Sequence, residues 1–125
     1  MMDAEYDELE LLLNLDGASY EAAAGYVIEF SARRVDVTPQ RPRGISYALV
    51  FRAEDGSPYV RFDNAHGVEH RGGRFGADPE AYDHWHRTQD DPGRPYEFTT
   101  AAQLLEDFWN EVRRVMREKG IPNDL

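Results

Sequence analysis

The stretch "ISYALVFRAEDGSPYVRFDNA" (residues 45–65) carries the clearest structural signal in the chain, because it places one turn signal between two runs of alternating side chains. Alternation with a period of two is typical of a half-buried β-strand. An Asp-Gly pair between two such runs favours a hairpin. In the first run, three large apolar side chains fall on one face: Tyr47, Leu49 and Phe51. The sequence therefore predicts an antiparallel hairpin here.

The residues before this hairpin predict further strands of the same sheet. "GYVIEFSARRVDV" (residues 25–37) alternates apolar and polar positions, which indicates another half-buried strand. The proline-punctuated residues 38–44 predict a loop. "ELELLLNLDG" (residues 8–17) fits a helix or a strand, because its leucines satisfy both spacings. The Asp-Gly pair at its end favours the strand.

The C-terminal part of the chain predicts one long helix, over residues 100–119. Thr100 and Gln103 have the spacing of a capping box, and Gly120 marks the end. The apolar stripe consists of Leu104, Leu105, Phe108, Trp109, Val112, Val115 and Met116. We expect four of these to be buried against the hairpin face: Leu105, Phe108, Trp109 and Val112.

These elements predict an α+β fold, an antiparallel meander of four to five strands with the C-terminal helix packed on one face. The 125 residues suit a single domain. Its strands fall in residues 8–63 and its helix in residues 100–119. Between them, residues 64–95 form a region rich in His, Gly and Arg, in which "YDHWHR" and "PYEF" are typical of short strands. Loops of this length are usually functional.

Composition excludes several classes of protein. The chain has no cysteine, so disulfides and thiolate zinc sites are excluded. No apolar run is long enough to span a membrane, and the N-terminus lacks the basic segment of a signal peptide. We therefore expect a cytoplasmic protein. The 13 arginines against one lysine indicate either a halophilic source or a GC-rich genome.

The net charge of −10 is unevenly distributed along the chain. Residues 1–21 carry seven acidic side chains and no basic one, whereas residues 22–75 have a net charge of +2. Nucleic-acid binding needs clustered Lys or Arg, so the overall acidity argues against a generic binder. The positive net charge of residues 22–75 is still compatible with a local site lined by arginine.

All four histidines fall within residues 66–86. In a strand, His84 and His86 of "HWH" point to the same side, about 7 Å apart along the chain. Trp85 then points to the other side. This arrangement lets two imidazoles converge on one metal ion or phosphate, although a polar strand edge explains the pattern equally well.

The first function that this arrangement could serve is metal binding. His66 and His70 are four residues apart, which on a helix would suggest zinc, but Gly67 breaks the helical pattern. His66 and His70 could still bind a metal ion as a pair of ligands on a loop. Imidazoles together with the Asp63 carboxylate suit zinc or another divalent transition metal. The complete set of imidazole ligands would be His66, His70, His84 and His86.

The second function is acid–base catalysis on a phosphodiester. Metal-independent RNA cleavage needs a base, an acid and a cation, and histidines near their working pKa supply the first two. The cation would come from Arg71, Arg74 or Arg87, and Tyr82 could assist proton transfer or stack on a base. Asp63 would orient a histidine ring. Solvated arginines and a turn-forming Asp63-Asn64 pair are the structural alternatives.

The segments "EDGSPYVRFDNAHG" and "HWH" resemble the TumE-type toxins of prokaryotic toxin–antitoxin systems. The resemblance covers residues 45–87, although family members carry paired histidines where this chain has only His66, and they have a shorter spacer before the His-x-His. It implies a toxin-like protein paired with an antitoxin, plausibly a helix-turn-helix protein. The resemblance assigns the site most directly to His84 and His86.

Three functions therefore remain open at this point. The first is a toxin that acts on RNA or a nucleotide. The second is a non-enzymatic module whose histidine-rich loop binds a divalent metal or a protein partner, and the third is an accessory protein of a mobile element. For a reactive site, we expect His84 and His86 on one strand face. At least one of His66 and His70 should lie close by, with Arg71 or Arg87 at the rim.

Overall fold

The computed structural model describes residues 4–39, 41–64, 83–86 and 93–122. Its helices and strands are α1 (Ala4–Leu13), β1 (Ser19–Ala23), β2 (Tyr26–Arg34), β3 (Ile45–Arg52), β4 (Pro58–Asp63), β5 (His84–His86), β6 (Arg94–Pro95) and α2 (Ala101–Lys119). Each strand pairs antiparallel with the next, so the six strands form a meander in chain order. The predicted α+β meander is confirmed. The sheet has six strands because β1, which was not predicted from the sequence, and the two short strands β5 and β6 all join it.

The β3–β4 hairpin has the predicted turn. Within it, the N–H of Ala53 donates to the carbonyl of Ser57 at 2.8 Å. The Asp55 carboxylate accepts from the Ser57 N–H at 3.0 Å and from its hydroxyl at 2.6 Å. Gly56 has a φ of 90°, a conformation in which a side chain would be strained. Local turn chemistry therefore sets the register of the hairpin.

The core lies between one face of the sheet and helix α2. The Phe108 ring contacts Phe30 of β2 and Phe62 of β4 edge-on, each with ring centroids 5.9 Å apart. Phe108 and Val112 are buried as predicted, and Leu104 is buried with them. These three residues recur every fourth position, so they form the centre of the helix's apolar stripe.

Leu105 and Trp109 lie at the margin of this stripe and are only partly buried, which corrects the prediction that they are core residues. Trp109 still contacts Phe30 and Phe108, with ring centroids 6.1 and 5.9 Å away. The predicted packing of the helix on the sheet is therefore confirmed. Leu104 is fully buried where the sequence predicts Leu105, and Trp109 lies at the margin.

Helix α2 begins and ends where the sequence predicts. The Thr100 hydroxyl accepts from the Gln103 N–H at 3.0 Å. The Gln103 side chain does not complete the predicted capping box, since its amide donates to Asp107 at 2.8 Å. At the other end Gly120 is left-handed (φ 71°), and the Ile121 N–H donates to the Met116 carbonyl at 2.8 Å. Neither described helix is long and apolar enough to cross a membrane.

The prediction of a strand at residues 8–17 is wrong, because the structure has helix α1 (Ala4–Leu13) there. Leu9 and Leu12 are buried, whereas Leu11 is 44% exposed, so the helical spacing of the leucines decides which side chains reach the core. Asp16 does not turn a hairpin. Its carboxylate accepts from the Ala32 N–H of β2 at 2.9 Å and joins the end of the α1 region to the sheet.

The acidity of residues 1–21 leads to a prediction about salt. The sequence places seven acidic side chains and no basic one in this segment, so like charges are concentrated there, and salt screens charges over about 10 Å at 0.1 M ionic strength. We expect the melting temperature to rise with KCl concentration into the molar range. Thermal scans in KCl and in an equal osmolarity of sucrose separate screening from solute effects. A flat response to KCl would leave a GC-rich genome as the explanation for the arginine excess.

Candidate functional site

The pairing of β4 with β5 brings four polar side chains together. Asp63 lies opposite His84, and Arg61 lies opposite His86. All four alternate with Phe62 and Trp85, so they lie on the sheet face opposite to the face that packs on α2. We call Arg61, Asp63, His84 and His86 the Asp–His cluster. The two imidazoles share one face, as the His-x-His spacing predicts.

Asp63 lies at the centre of the cluster. Its Oδ2 accepts a hydrogen bond from Arg61 Nε at 2.7 Å. Its Oδ1 is 3.9 Å from His84 Nδ1, and its Oδ2 is 4.0 Å from His86 Nε2. The imidazoles are therefore within ion-pair range of the carboxylate and beyond hydrogen-bond length. One carboxylate faces a guanidinium and two imidazoles.

Burial makes these electrostatic contacts strong. Asp63 is 2% exposed and His84 is 4% exposed. Burial by itself raises the pKa of the Asp63 carboxyl, but His84 and Arg61 outweigh it and hold this pKa below its usual value of 3.8. The carboxylate is therefore negatively charged at neutral pH. It can hold His84 in one orientation.

His84 has one ring nitrogen that the described residues do not satisfy. Nδ1 is the ring nitrogen nearest to Asp63, whereas Nε2 is buried and has no hydrogen-bond partner within the described ranges. Buried polar atoms are normally hydrogen-bonded, so each exception needs a physical explanation. A reacting group or a bound water at Nε2 would supply the partner. Nε2 is therefore the buried polar atom of this cluster that lacks a partner among the described residues.

Asn64, next to Asp63, has a structural role. Its side chain accepts from the Tyr47 N–H at 2.9 Å and donates to the Ile45 carbonyl at 2.9 Å. The buried amide thus continues the pairing of β3 beyond the end of β4. The turn-forming alternative is not what the structure has at Asn64, whose side chain bonds the backbone of β3 17 and 19 residues away, and the Asp63 carboxylate faces the histidines.

Asp83 supports the start of β5 from the helix-facing side. The Tyr47 hydroxyl donates to Asp83 Oδ2 at 2.7 Å, and the Tyr96 N–H donates to the Asp83 carbonyl at 2.8 Å. Burial raises the pKa of the Asp83 carboxyl, and the Tyr47 hydrogen bond only partly offsets this effect. These contacts fix the residue before His84, so they position the imidazole through the backbone.

Sequence reasoning missed three residues around the cluster. Arg61 could have been found, since it alternates with Asp63 and must share its face. Asp83 and Gly93 could not, because their contacts join distant parts of the chain. A Cβ on Gly93 would lie 2.7 Å from His86 Cε1, and its φ of +106° disfavours any side chain. Gly93 therefore leaves the space that the His86 ring occupies.

The remaining predicted site residues lie outside the described residues: His66, His70, Arg71, Arg74, Tyr82 and Arg87. Their roles stay predictions. Within the described part of the chain, no group of three His, Cys, Asp or Glu side chains is arranged to hold a metal ion.

The Tyr47–Asp83 contact leads to a prediction at alkaline pH. Burial and the neighbouring Asp83 raise the pKa of the Tyr47 phenol well above 10.0. The stability that this phenol contributes is complete below its unfolded pKa and is lost as pH rises towards its folded pKa. Above pH 10, each such tyrosine makes the free energy of unfolding fall by about 1.4 kcal/mol per pH unit.

We therefore expect Tyr47→Phe to lose less stability per pH unit than the parent chain above pH 10. Urea unfolding at pH 7, 10 and 11 measures this slope, and the data at pH 7 give the constant cost of the lost hydrogen bond. Tyr96, whose pKa burial and Asp107 also raise, keeps its contribution in both proteins. Parallel curves for the two proteins would contradict the prediction.

The fold and the cluster define a class: a small α+β protein in which a meander places a buried Asp–His pair on the sheet face away from its helices. The model of the TumE toxin family matches residues 5–116, so the chain belongs to the TumE toxin family. Searches of curated proteins and of solved structures found no match. Membership groups the chain with the toxins of toxin–antitoxin systems and implies a cognate antitoxin.

Proposed function

We propose that this chain is a toxin that acts on RNA or a related nucleotide through the Asp–His cluster. The observation that supports it most is the buried His84, whose Nδ1 faces an ionised Asp63 while its Nε2 has no partner among the described residues. A carboxylate that orients an imidazole is the usual way in which a protein prepares a general base. RNA is the substrate class because its 2′-hydroxyl supplies the nucleophile.

The proposed reaction is an internal transfer at one phosphodiester. His84 Nε2 accepts the proton of the 2′-hydroxyl, whose oxygen attacks the neighbouring phosphorus. The bond from phosphorus to the 5′-oxygen breaks, and this oxygen takes a proton from a second imidazole. The products are a 2′,3′-cyclic phosphate and a free 5′-hydroxyl. Asp63 touches neither reacting atom, so it is a positioning residue.

His86 is the nearest candidate for the acid, since its ring centroid lies 6.4 Å from that of His84. His70 and His66 are the alternative acids on sequence grounds. Arg61 is engaged by Asp63, so the charge that develops on the phosphate needs another cation. We assign that cation to Arg71 or Arg87, because a guanidinium can bind a phosphate through two hydrogen bonds.

The family also supports a type of antitoxin partner and a cellular compartment for this toxin. The antitoxin would be a helix-turn-helix protein encoded next to the toxin, and both would act in the cytoplasm, where RNA is the target. The acidic composition supports a salt-rich cytoplasm, and the arginine excess fits both this setting and a GC-rich genome. Molar salt would also make close phosphate contacts from arginine more important than long-range attraction.

Growth arrest tests this proposal. Expression of the parent chain should arrest a bacterial host, and expression together with the protein encoded by the adjoining reading frame should restore growth. RNA from the arrested cells should carry new 5′-hydroxyl ends. Arrest that persists in the His84→Asn variant, with RNA intact, would instead favour a non-enzymatic module that acts by binding a metal or a protein.

A further inference from the structure

We propose that the outer edge of β1 binds an extended, cationic segment of the antitoxin as a seventh strand of the sheet. The inference rests on the toxin role for the existence of an antitoxin, but not on the chemistry of the Asp–His cluster. β1 and β5 are separated by three strands, so the two surfaces can be tested independently.

On the outer side of β1, the backbone N–H and C=O groups have no strand partner among the described residues. The Gly17 N–H donates to the Phe30 carbonyl at 2.9 Å, and the Phe30 N–H donates to the Ala18 carbonyl at 3.0 Å. The backbone N–H and C=O of Phe30 therefore both point towards β1. Every second residue of a strand points these groups to the same side, so those of Ile28 also point towards β1. Tyr20, opposite Ile28, must face inwards. Ser19 and Glu21 then point their N–H and C=O groups away from the sheet.

This outer side is open to a partner. Ser19, Tyr20 and Glu21 are all exposed, and Tyr20 is 48% exposed. Exposed edge strands invite pairing with another chain, and proteins normally shorten, twist or cover them. Here an irregularity between Glu21 and Ala23 ends the regular part of β1, so the edge offers room for about one short strand.

A cleft on the sheet face that carries the Asp–His cluster runs from β1 across β2 to β3, and it could take the side chains that such a strand points to this face. It has a volume of about 340 Å³, and its lining includes Ser19, Ser31, Ala48, Val50, Glu29 and Arg52. Glu29 and Arg52 form an ion pair at 2.8 Å, so their charges balance. When a peptide adds to a sheet edge, its backbone hydrogen bonds give affinity and pockets for alternate side chains give specificity. The edge and the cleft together provide both.

The charge around β1 defines the chemistry of the occupant. The first 32 residues contain no Lys or Arg. At the tip of the β1–β2 hairpin, the Glu21 carboxylate accepts from the Gly25 N–H at 3.2 Å, and the Glu54 side chain also packs on Gly25. Two carboxylates therefore flank the end of the open edge. Such a surface repels RNA and attracts a segment rich in Lys or Arg.

Binding to the protein encoded by the adjoining reading frame tests the inference. Glu21→Lys should raise the dissociation constant by about tenfold or more, because it reverses a charge at the edge. Ser19→Pro should raise it by about tenfold, because it removes an outward N–H without removing a bond to β2. Glu106→Lys, on the exposed side of α2, is the matched control for charge and should bind nearly as the parent does.

Hydrogen exchange of the intact complex provides the second measurement. The amides of Ser19 and Glu21 should become protected when the partner binds. Toxicity without antitoxin should be unchanged in both edge variants. If the parent chain itself cleaves no RNA, the proposed function is contradicted and this inference still stands. Unprotected amides, no binding by the parent chain, or edge variants that bind like Glu106→Lys would overturn it.

Discussion

Replacing His84 with asparagine should reduce RNA cleavage by about 100- to 10,000-fold, because a positioned acid or base contributes a factor of this size. Asparagine fills much of the same space and keeps a polar group, but it cannot accept and release a proton near neutral pH. Cleavage rates of a fluorescent RNA oligonucleotide measure the effect. Growth arrest should disappear in the same variant.

Ser46→Ala is a suitable control for His84→Asn. Ser46 lies in β3 on the same sheet face, outside the Asp–His cluster, and is partly buried. The control should cleave at the parent rate, and all three proteins should unfold at similar temperatures. A His84→Asn variant that is folded and as active as Ser46→Ala would show that the cluster is not the reactive centre.

Replacing Phe108 with alanine should destabilise the protein by about 3–5 kcal/mol, the usual cost of removing a fully buried aromatic ring. Phe108 has no exposed surface and contacts the rings of Phe30 and Phe62, so its removal leaves a buried cavity between α2 and the sheet. Urea unfolding measures the change, and the melting temperature should fall by about 10 °C or more.

Two further substitutions provide a scale for this effect. Trp109→Ala removes a ring that is only partly buried, so its cost should be smaller than that of Phe108→Ala. Val37→Ala, at a position 69% exposed, should change the stability by about 0.5 kcal/mol or less. A larger loss of stability in Trp109→Ala than in Phe108→Ala would contradict this prediction, because the fully buried ring should contribute more than the partly buried one.

The parts of the fold that the sequence predicts are those that local chemistry determines. The β3–β4 hairpin has its own turn signal, and α2 has its own cap at Thr100 and its own terminating Gly120. Helix α1 was mispredicted because a run of leucines satisfies both periods. Only contact with the rest of the core decides that Leu9 and Leu12, rather than alternate leucines, are buried.

The same limit applies to the candidate site. The period of a strand is enough to predict that His84 and His86 share a face. Their meeting with Asp63 depends on the register of β5 against β4, across 20 intervening residues, and no local pattern encodes that register. The Tyr47–Asp83 hydrogen bond and the approach of Gly93 to His86 are likewise long-range. Local patterns therefore predict the residue types of the candidate site but not the residues that hold them in place.

The most direct test of the account is the chemistry of the RNA ends. The purified protein should cleave an RNA oligonucleotide in EDTA, leave a 2′,3′-cyclic phosphate, and fail to cut where a single 2′-hydroxyl is replaced by hydrogen. His84→Asn should leave the same RNA intact. Cleavage that stops in EDTA and returns with zinc, or ends without a cyclic phosphate, would contradict the claim that the Asp–His cluster acts by acid–base catalysis.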